Sequence, residues 1–184
     1  MRSGGALQGA GFGCMKAERG NAAVDDALRK ARMWLSNVTP LKNDCGRLCG
    51  AACCEADEDG QGGMLLFPGE EEIYSPLPEG FRITDTEQGR LLTCEGRCDR
   101  EMRPLSCMLF PVWIFPKGEK GEEFCVKADR RGCAVCPLIP QGVRALNPDF
   151  IAAVKQAAGE LWKSDAQRAF LIQVASYIDR LKAF

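Results

Sequence analysis

Four thiols, Cys45, Cys49, Cys53 and Cys54, fall within ten consecutive residues, and any fold for this chain has to give them somewhere to point. A thiolate is a soft ligand suited to zinc, copper(I) and iron-sulfur clusters, and several in one short segment lower the entropy lost in assembling a site. Cys45, Cys49 and Cys53 are four apart and would share one face of a helix. A straight helix would nevertheless set Cys45 and Cys53 roughly 12 Å apart, at a rise of about 1.5 Å per residue, whereas sulfurs around one zinc stand roughly 4 Å apart. The segment must therefore break or serve two centres. Gly46 and Gly50 favour a break, because glycine frees the backbone to turn and to approach an ion closely.

Eleven cysteines, an odd number arranged in tight clusters, argue for metal ligation rather than a disulfide framework. The chain contains no histidine, which removes Cys2His2 fingers, Rieske centres, histidine-ligated haem and every histidine-based acid or base. Lys and Arg number 24 against 25 Asp and Glu, so nothing in the bulk charge attracts nucleic acid or an anionic membrane. No apolar run approaches the length of a spanning helix, and the first residues carry glycines where a signal peptide needs an apolar centre. A cytoplasmic protein with reduced thiols is expected.

Residues 1–20 are rich in Gly and Ala and unpatterned, which predicts a disordered extension in which Cys14 is a stray thiol. Asn21 reads as the cap of an amphipathic helix over 22–35, with Val24, Leu28, Ala31 and Leu35 on one face and Thr39-Pro40 ending it. The acidic, glycine-rich stretch 57–63 reads as a solvated loop. Residues 64–67 read as a short buried strand, and Pro68-Gly69-Glu70-Glu71-Glu72 as the first turn of a helix in which the acids face the dipole. Residues 81–84 and 90–93 flank a turn at 85–89 and predict a hairpin running into Cys94. A second hairpin is expected from 109–115 and 124–126 across the turn at 117–121. Beyond Pro140 the pattern becomes helical. Asn147-Pro148-Asp149 starts one helix with Phe150, Val154, Leu161 and Trp162 on a stripe and Gly159 as a weak point. Ser164 with Gln167 forms a capping box for a second, carrying Phe170, Val174, Tyr177, Ile178 and Leu181.

Two further clusters follow the first. Cys94, Cys98 and Cys107 come soon after the hairpin, and Cys125 precedes Cys133-Ala134-Val135-Cys136-Pro137, the one C-x-x-C of the chain. A lone cysteine is otherwise a small buried hydrophobe, which describes Cys14 and one of Cys53 and Cys54, while Cys125 suits either role. The candidate ligands are thus Cys45, Cys49, Cys53, Cys54, Cys94, Cys98, Cys107, Cys133 and Cys136. Four features together resemble the CxxCxxCC family of YkgJ-type cysteine-cluster proteins. They are Cys-Gly-Ala-Ala-Cys-Cys at 49–54, the acidic segment at 70–72, Gly96-Arg97-Cys98, and Arg-Pro-Leu-Ser-Cys-Met-Leu-Phe-Pro at 103–111. The likeness covers roughly residues 41–116. The chain differs from the family pattern in its three-residue early spacers and in Met108, where arginine is usual. What the resemblance implies is a zinc- or iron-chelating domain.

The expected fold is α+β: an N-terminal extension (1–20), a small cysteine-rich metal-binding domain with short antiparallel hairpins (21–140), and a C-terminal helical hairpin (141–184) packing on it. The expected function is a cytoplasmic protein holding zinc, or an iron or [4Fe-4S] centre, through its clustered cysteines. The other reading is a zinc-stapled protein-interaction module without catalysis. Three-residue spacers lean towards the wider sulfur separations of a cluster. A thiol-disulfide enzyme is disfavoured because Cys133-x-x-Cys136 lacks a βαβ setting, and a radical enzyme because the chain lacks repeated βα units. No nucleophile-base pair or phosphate loop stands out. The C-terminal stripes invite a protein partner or self-association.

Overall fold

The computed structural model describes residues 25–54, 63–95, 99–119 and 121–181. The expected N-terminal extension, the Asn21 cap, most of the acidic loop at 57–63, Cys14 and Cys98 lie outside these segments. The described chain is a mixed α and β structure with two short antiparallel sheets and two long C-terminal helices.

Helix α1 (Asp26–Leu35) is capped by Asp25, whose carboxylate accepts the Ala27 N–H at 3.0 Å. Leu28, Ala31 and Leu35 form its buried stripe. After a loop comes α2 (Gly46–Cys49), a single helical turn. Gly50 and Ala51 then both turn left-handed, at φ 64° and 63°, and a 3-10 turn over Ala52–Cys54 carries the last two thiols of the segment. The break that Gly46 and Gly50 favoured falls at Gly50, where a missing Cβ makes that conformation easy.

Strands β1 (Met64–Leu65), β2 (Arg82–Thr86) and β3 (Gly89–Thr93) make the first sheet in the order β1-β3-β2, with Met64 opposite Leu92 and Ile83 opposite Leu92 on the other edge. The strand expected over 64–67 is only two residues long. Past it the chain bends into a 3-10 helix, Glu70–Tyr74. The second sheet pairs β4 (Val112–Lys117) with β5 (Glu123–Ala128). Its first strand begins later than the sequence suggested, because residues after Pro104 coil into a short helix, α3 (Leu105–Leu109), before Pro111 stops it. That helix presents Cys107.

Helices α4 (Pro148–Lys163) and α5 (Asp165–Arg180) follow, the first capped as expected by Asn147, which accepts the Asp149 N–H at 3.1 Å. The capping box expected from Ser164 and Gln167 does not form. The Ser164 hydroxyl donates to Asp25 at 2.7 Å, and the Gln167 amide donates to the same carboxylate at 3.1 Å and to the Pro68 carbonyl at 3.0 Å. A carboxylate is a stronger acceptor than the neutral groups of a box, so the cap of α1 takes the two donors.

The main core lies between these layers: Leu28 and Leu35 of α1, Val112 to Phe115 of β4, Phe150, Val154 and Leu161 of α4, and Leu171, Val174 and Ile178 of α5 are all buried. Each such side chain contributes about 1.5–3 kcal/mol by leaving water. Phe67 sits at the junction, its ring 4.9 Å from Phe170 and 5.8 Å from Trp113. The Trp113 indole donates to the Leu171 carbonyl at 3.3 Å, tying β4 to α5. A smaller cluster of Leu66, Tyr74 and Leu92 lies under the first sheet.

Candidate metal centre

One buried acid organises the surroundings of the thiols. Glu70 is fully buried, and every contact to its two carboxylate oxygens is a donor. One oxygen accepts Arg32 at 2.7 Å and the Leu105 N–H at 2.6 Å, and the other accepts the Phe67 N–H at 3.0 Å. Burial pushes this carboxyl up from its ordinary value, while Arg32 and the two backbone N–H groups pull the other way. The carboxylate is the form that this geometry solvates. The three acids do occupy the first turn of a helix, as the sequence predicts, but they are not alike: Glu70 is also an internal hub, whereas Glu71 reaches outward to Arg90 at 2.6 Å. Nothing in a run of three glutamates separates the first from the rest, except its place directly after the buried Phe67 and a turn.

Arg32 of α1 also donates to the carbonyls of Arg103 and Glu101, both at 2.8 Å. Arg100 returns the connection, donating to the carbonyls of Ser36 and Val38 at 2.7 Å each. The segment 100–105 is thereby pinned along α1 and its following loop, and α3 is held where Cys107 faces the first thiol segment.

Between them opens a cleft of about 840 Å³, lined by the thiols of Cys45, Cys53, Cys54, Cys94 and Cys107 and by Asp44, Arg103, Phe81, Met102 and Phe110. A smaller hollow shares Cys53, Cys54, Cys94 and Cys107. The Cys49 thiol donates to the Cys45 carbonyl at 4.0 Å. The described cysteines are present as thiols. Three stretches, around 45–54, 94 and 107, thus place sulfur on one cleft, while Cys136 is buried in the main core and lines neither hollow. Cys133 is exposed and lines neither hollow, and Cys125 packs against the core in β5, opposite Phe115.

Three of these thiols are pushed up from their ordinary values. Burial pushes the Cys45 thiol up, aided by the charges of Asp44, Cys49 and Cys136 and opposed by Arg103. The hydrogen bond to Cys54 pushes Cys53 up strongly, followed by burial and by the charges of Cys54, Cys107 and Cys49. Burial also raises Cys136, against backbone N–H groups of Leu138 and Ile139. Mutual repulsion among thiolates is the penalty that a bound cation removes. Among the described residues no group of three Cys, Asp or Glu side chains is arranged to hold a metal ion as it stands. As a donor set the cleft fits a soft metal: five cysteines line it beside the carboxylates of Asp44, Glu79 and Asp99, and three of the five lie on a segment whose backbone turns at Gly50 and Ala51.

No helix among the described residues is long and apolar enough to cross a membrane. Comparison of the chain with family models, with curated proteins and with solved structures finds no match to any of them.

Proposed function

We propose that this chain is a cytoplasmic metal-binding protein of the YkgJ-type cysteine-cluster kind, holding zinc or an iron or iron-sulfur centre through thiolates that face one cleft. The observation that carries the reading is the convergence of Cys45, Cys53, Cys54, Cys94 and Cys107 on that cleft from three separate stretches. Cys98, four residues after Cys94, belongs to the same pool of ligands. The exposed Cys133 is not needed by this arrangement. Zinc would supply a structural cross-link there, and an iron-sulfur cluster an electron-transfer centre. The chain's own part is to hold the sulfurs through the Glu70 and Arg32 frame and to surround them with the apolar walls of Phe81, Met102 and Phe110.

A zinc-stapled interaction module is the second reading, favoured by the exposed apolar side chains Met33 and Trp34 on α1 and Leu48 on α2. Anaerobic purification with metal and sulfide analysis and a visible spectrum separates the two. A brown protein with inorganic sulfide supports the iron-sulfur form, and a colourless one with stoichiometric zinc supports the staple. A protein that takes up neither metal, even after incubation with zinc or with iron and sulfide, overturns both.

A further inference from the structure

The two hollows at the thiols differ greatly in size. The smaller, about 20 Å³ and walled by Cys53, Cys54, Cys94 and Cys107, has room for one ion-sized body. The cleft beside it, at about 840 Å³, lies in the range of about 300–1,000 Å³ that sites for small organic molecules occupy. A metal ion held by sulfur leaves most of that space over. The walls of the cleft include Phe81, Met102, Met108 and Phe110, all half-buried apolar side chains, and methionine adapts its shape to what it covers. Such walls suit the apolar body of an organic ligand.

The charges lining the cleft narrow the chemistry of its polar end. Asp44, Glu79 and Asp99 are all exposed, so water already solvates them. Arg100 is exposed too, and its donors go to the Ser36 and Val38 carbonyls. Arg103 differs from these. It is half-buried, and among the described residues its guanidinium has no hydrogen bond or ion pair. Its backbone is held on both sides, because the Arg103 carbonyl accepts Arg32 at 2.8 Å and the Leu105 N–H donates to Glu70 at 2.6 Å. The Arg103 charge acts on Cys45, yet burial and the charges of Asp44 and Cys49 outweigh it, and a thiol that keeps its proton is no counter-ion. Arg47, exposed on α2, brings a second guanidinium to the same cleft. A guanidinium presents its N–H groups in a planar fork that matches a carboxylate.

We propose that the cleft is a binding site for a small organic carboxylate, with the apolar body of the ligand against Phe81, Met102, Met108 and Phe110 and its carboxylate on the Arg103 guanidinium. The half-buried cation and the apolar walls set the ligand class together: an apolar molecule without charge leaves Arg103 unanswered, and an ammonium meets it as a like charge. The thiols are not asked to bind this ligand, so the site is a second function of the cleft beside the metal-binding reading.

The test titrates the full chain, as purified under reducing conditions and with its metal content measured, with three probes of one shape by calorimetry: 3-phenylpropionate, the neutral 3-phenylpropionamide and the cationic 3-phenylpropylamine. Arg103→Met, which keeps an apolar stem and removes the fork, is titrated in parallel after its urea midpoint shows it folded, and Arg103→Gln takes its place if it does not fold. The expected result is binding of the carboxylate to the parent, at least about tenfold weaker binding of the amide and the amine, and a loss of at least about tenfold in carboxylate affinity in the Arg103 variant. Equal affinity for the three probes, tighter binding of the amine, or an Arg103 variant that binds the carboxylate as the parent does overturns the inference. A metal-loaded parent that does not bind the carboxylate overturns it too and leaves the metal-binding reading standing. Selective, Arg103-dependent carboxylate binding by a chain that carries no metal supports this inference while the metal-binding reading falls.

Discussion

Glu70→Gln changes almost no volume and tests whether the frame behind the thiols rests on a charged acceptor. The carboxylate takes three N–H donors on two oxygens, from Arg32, Leu105 and Phe67, at 2.6 to 3.0 Å. A glutamine has one oxygen and one NH2. If its oxygen faces Arg32 and Leu105, the NH2 points at the Phe67 N–H, and in the flipped orientation it points at Arg32 and the Leu105 N–H instead. Either way a buried donor meets a donor, and Arg32, whose side chain is only 12% exposed, loses its counter-charge. Breaking a buried ion pair from one side costs about 3–5 kcal/mol. A domain has about 5–15 kcal/mol in all, so the variant should stay folded but be far less stable. With a urea slope near 2 kcal/mol per molar, the midpoint should fall by about 1.5–2.5 M. Urea titration followed by tryptophan fluorescence reads this directly, since Trp113 and Trp162 are buried. Asp26→Asn serves as the comparison, because its pairs with Arg29 and Lys30 are exposed and screened by water and should matter little. A Glu70→Gln midpoint close to that of Asp26→Asn would refute the assignment of Glu70 as the hub.

Three other outcomes are expected. Gly159→Ala should raise stability by about 0.5–1 kcal/mol, since the position lies inside α4 with open space where a Cβ would go, and a thermal scan would show it; a lower melting temperature would contradict this. Burial alone would raise the Asp25 carboxyl, but hydrogen bonds from Ser164, Ala27 and Gln167 outweigh it and hold the group below its ordinary 3.8. A depressed acid stabilises the fold above its unfolded value and stops doing so as pH falls through its folded value. The stability gap between the parent and Asp25→Asn, clear at neutral pH, should therefore close in acid below about pH 4, and a gap that persists there would exclude this linkage. Finally, stripping metal with a chelator should open residues 44–54 and 99–110 to limited proteolysis while the far-ultraviolet signal of α1, α4 and α5 remains; identical digestion before and after would contradict a metal that holds the cleft together.

What the sequence made legible were features whose signal is local. The hairpin around Gln88-Gly89 follows from alternation and a turn, the caps and stripes of α4 from Asn147-Pro148 and a helical period, and the break in the first thiol segment from Gly46 and Gly50. The features that escaped were those decided by distant partners. Ser164 and Gln167 carry the pattern of a local capping box, but their donors go to Asp25, nearly the whole described chain away. Residues 105–109 are apolar enough for a strand, yet Pro104 and Pro111 bracket one short helix. Glu70 and Glu71 are adjacent and alike in sequence, and only the approach of Arg32 and Leu105 makes one the interior of the fold and the other its surface. Spacing alone marked out the thiols, but that Cys136 is buried in the core while Cys133, three residues earlier, is exposed depends on how the turn after β5 lies on the core.

The packing of α1 against α4 and α5 has a consequence for synthesis. Helix α1 is among the first described elements to be made, yet the surface that covers its apolar stripe, and the two side chains that share its cap, come from residues beyond 147. Non-local contacts of this kind form only after the intervening chain is available. On the ribosome, every cysteine from 45 to 136 emerges before the helices that close the core, and the segment carrying Arg32 has no settled place until they arrive. Metal delivered to the nascent chain would meet scattered thiols, and the assembled cleft exists only after translation has passed α5. On the metal-binding reading proposed above, loading is expected to be a post-translational event, and a chain stalled before residue 148 should bind metal weakly and without a fixed stoichiometry.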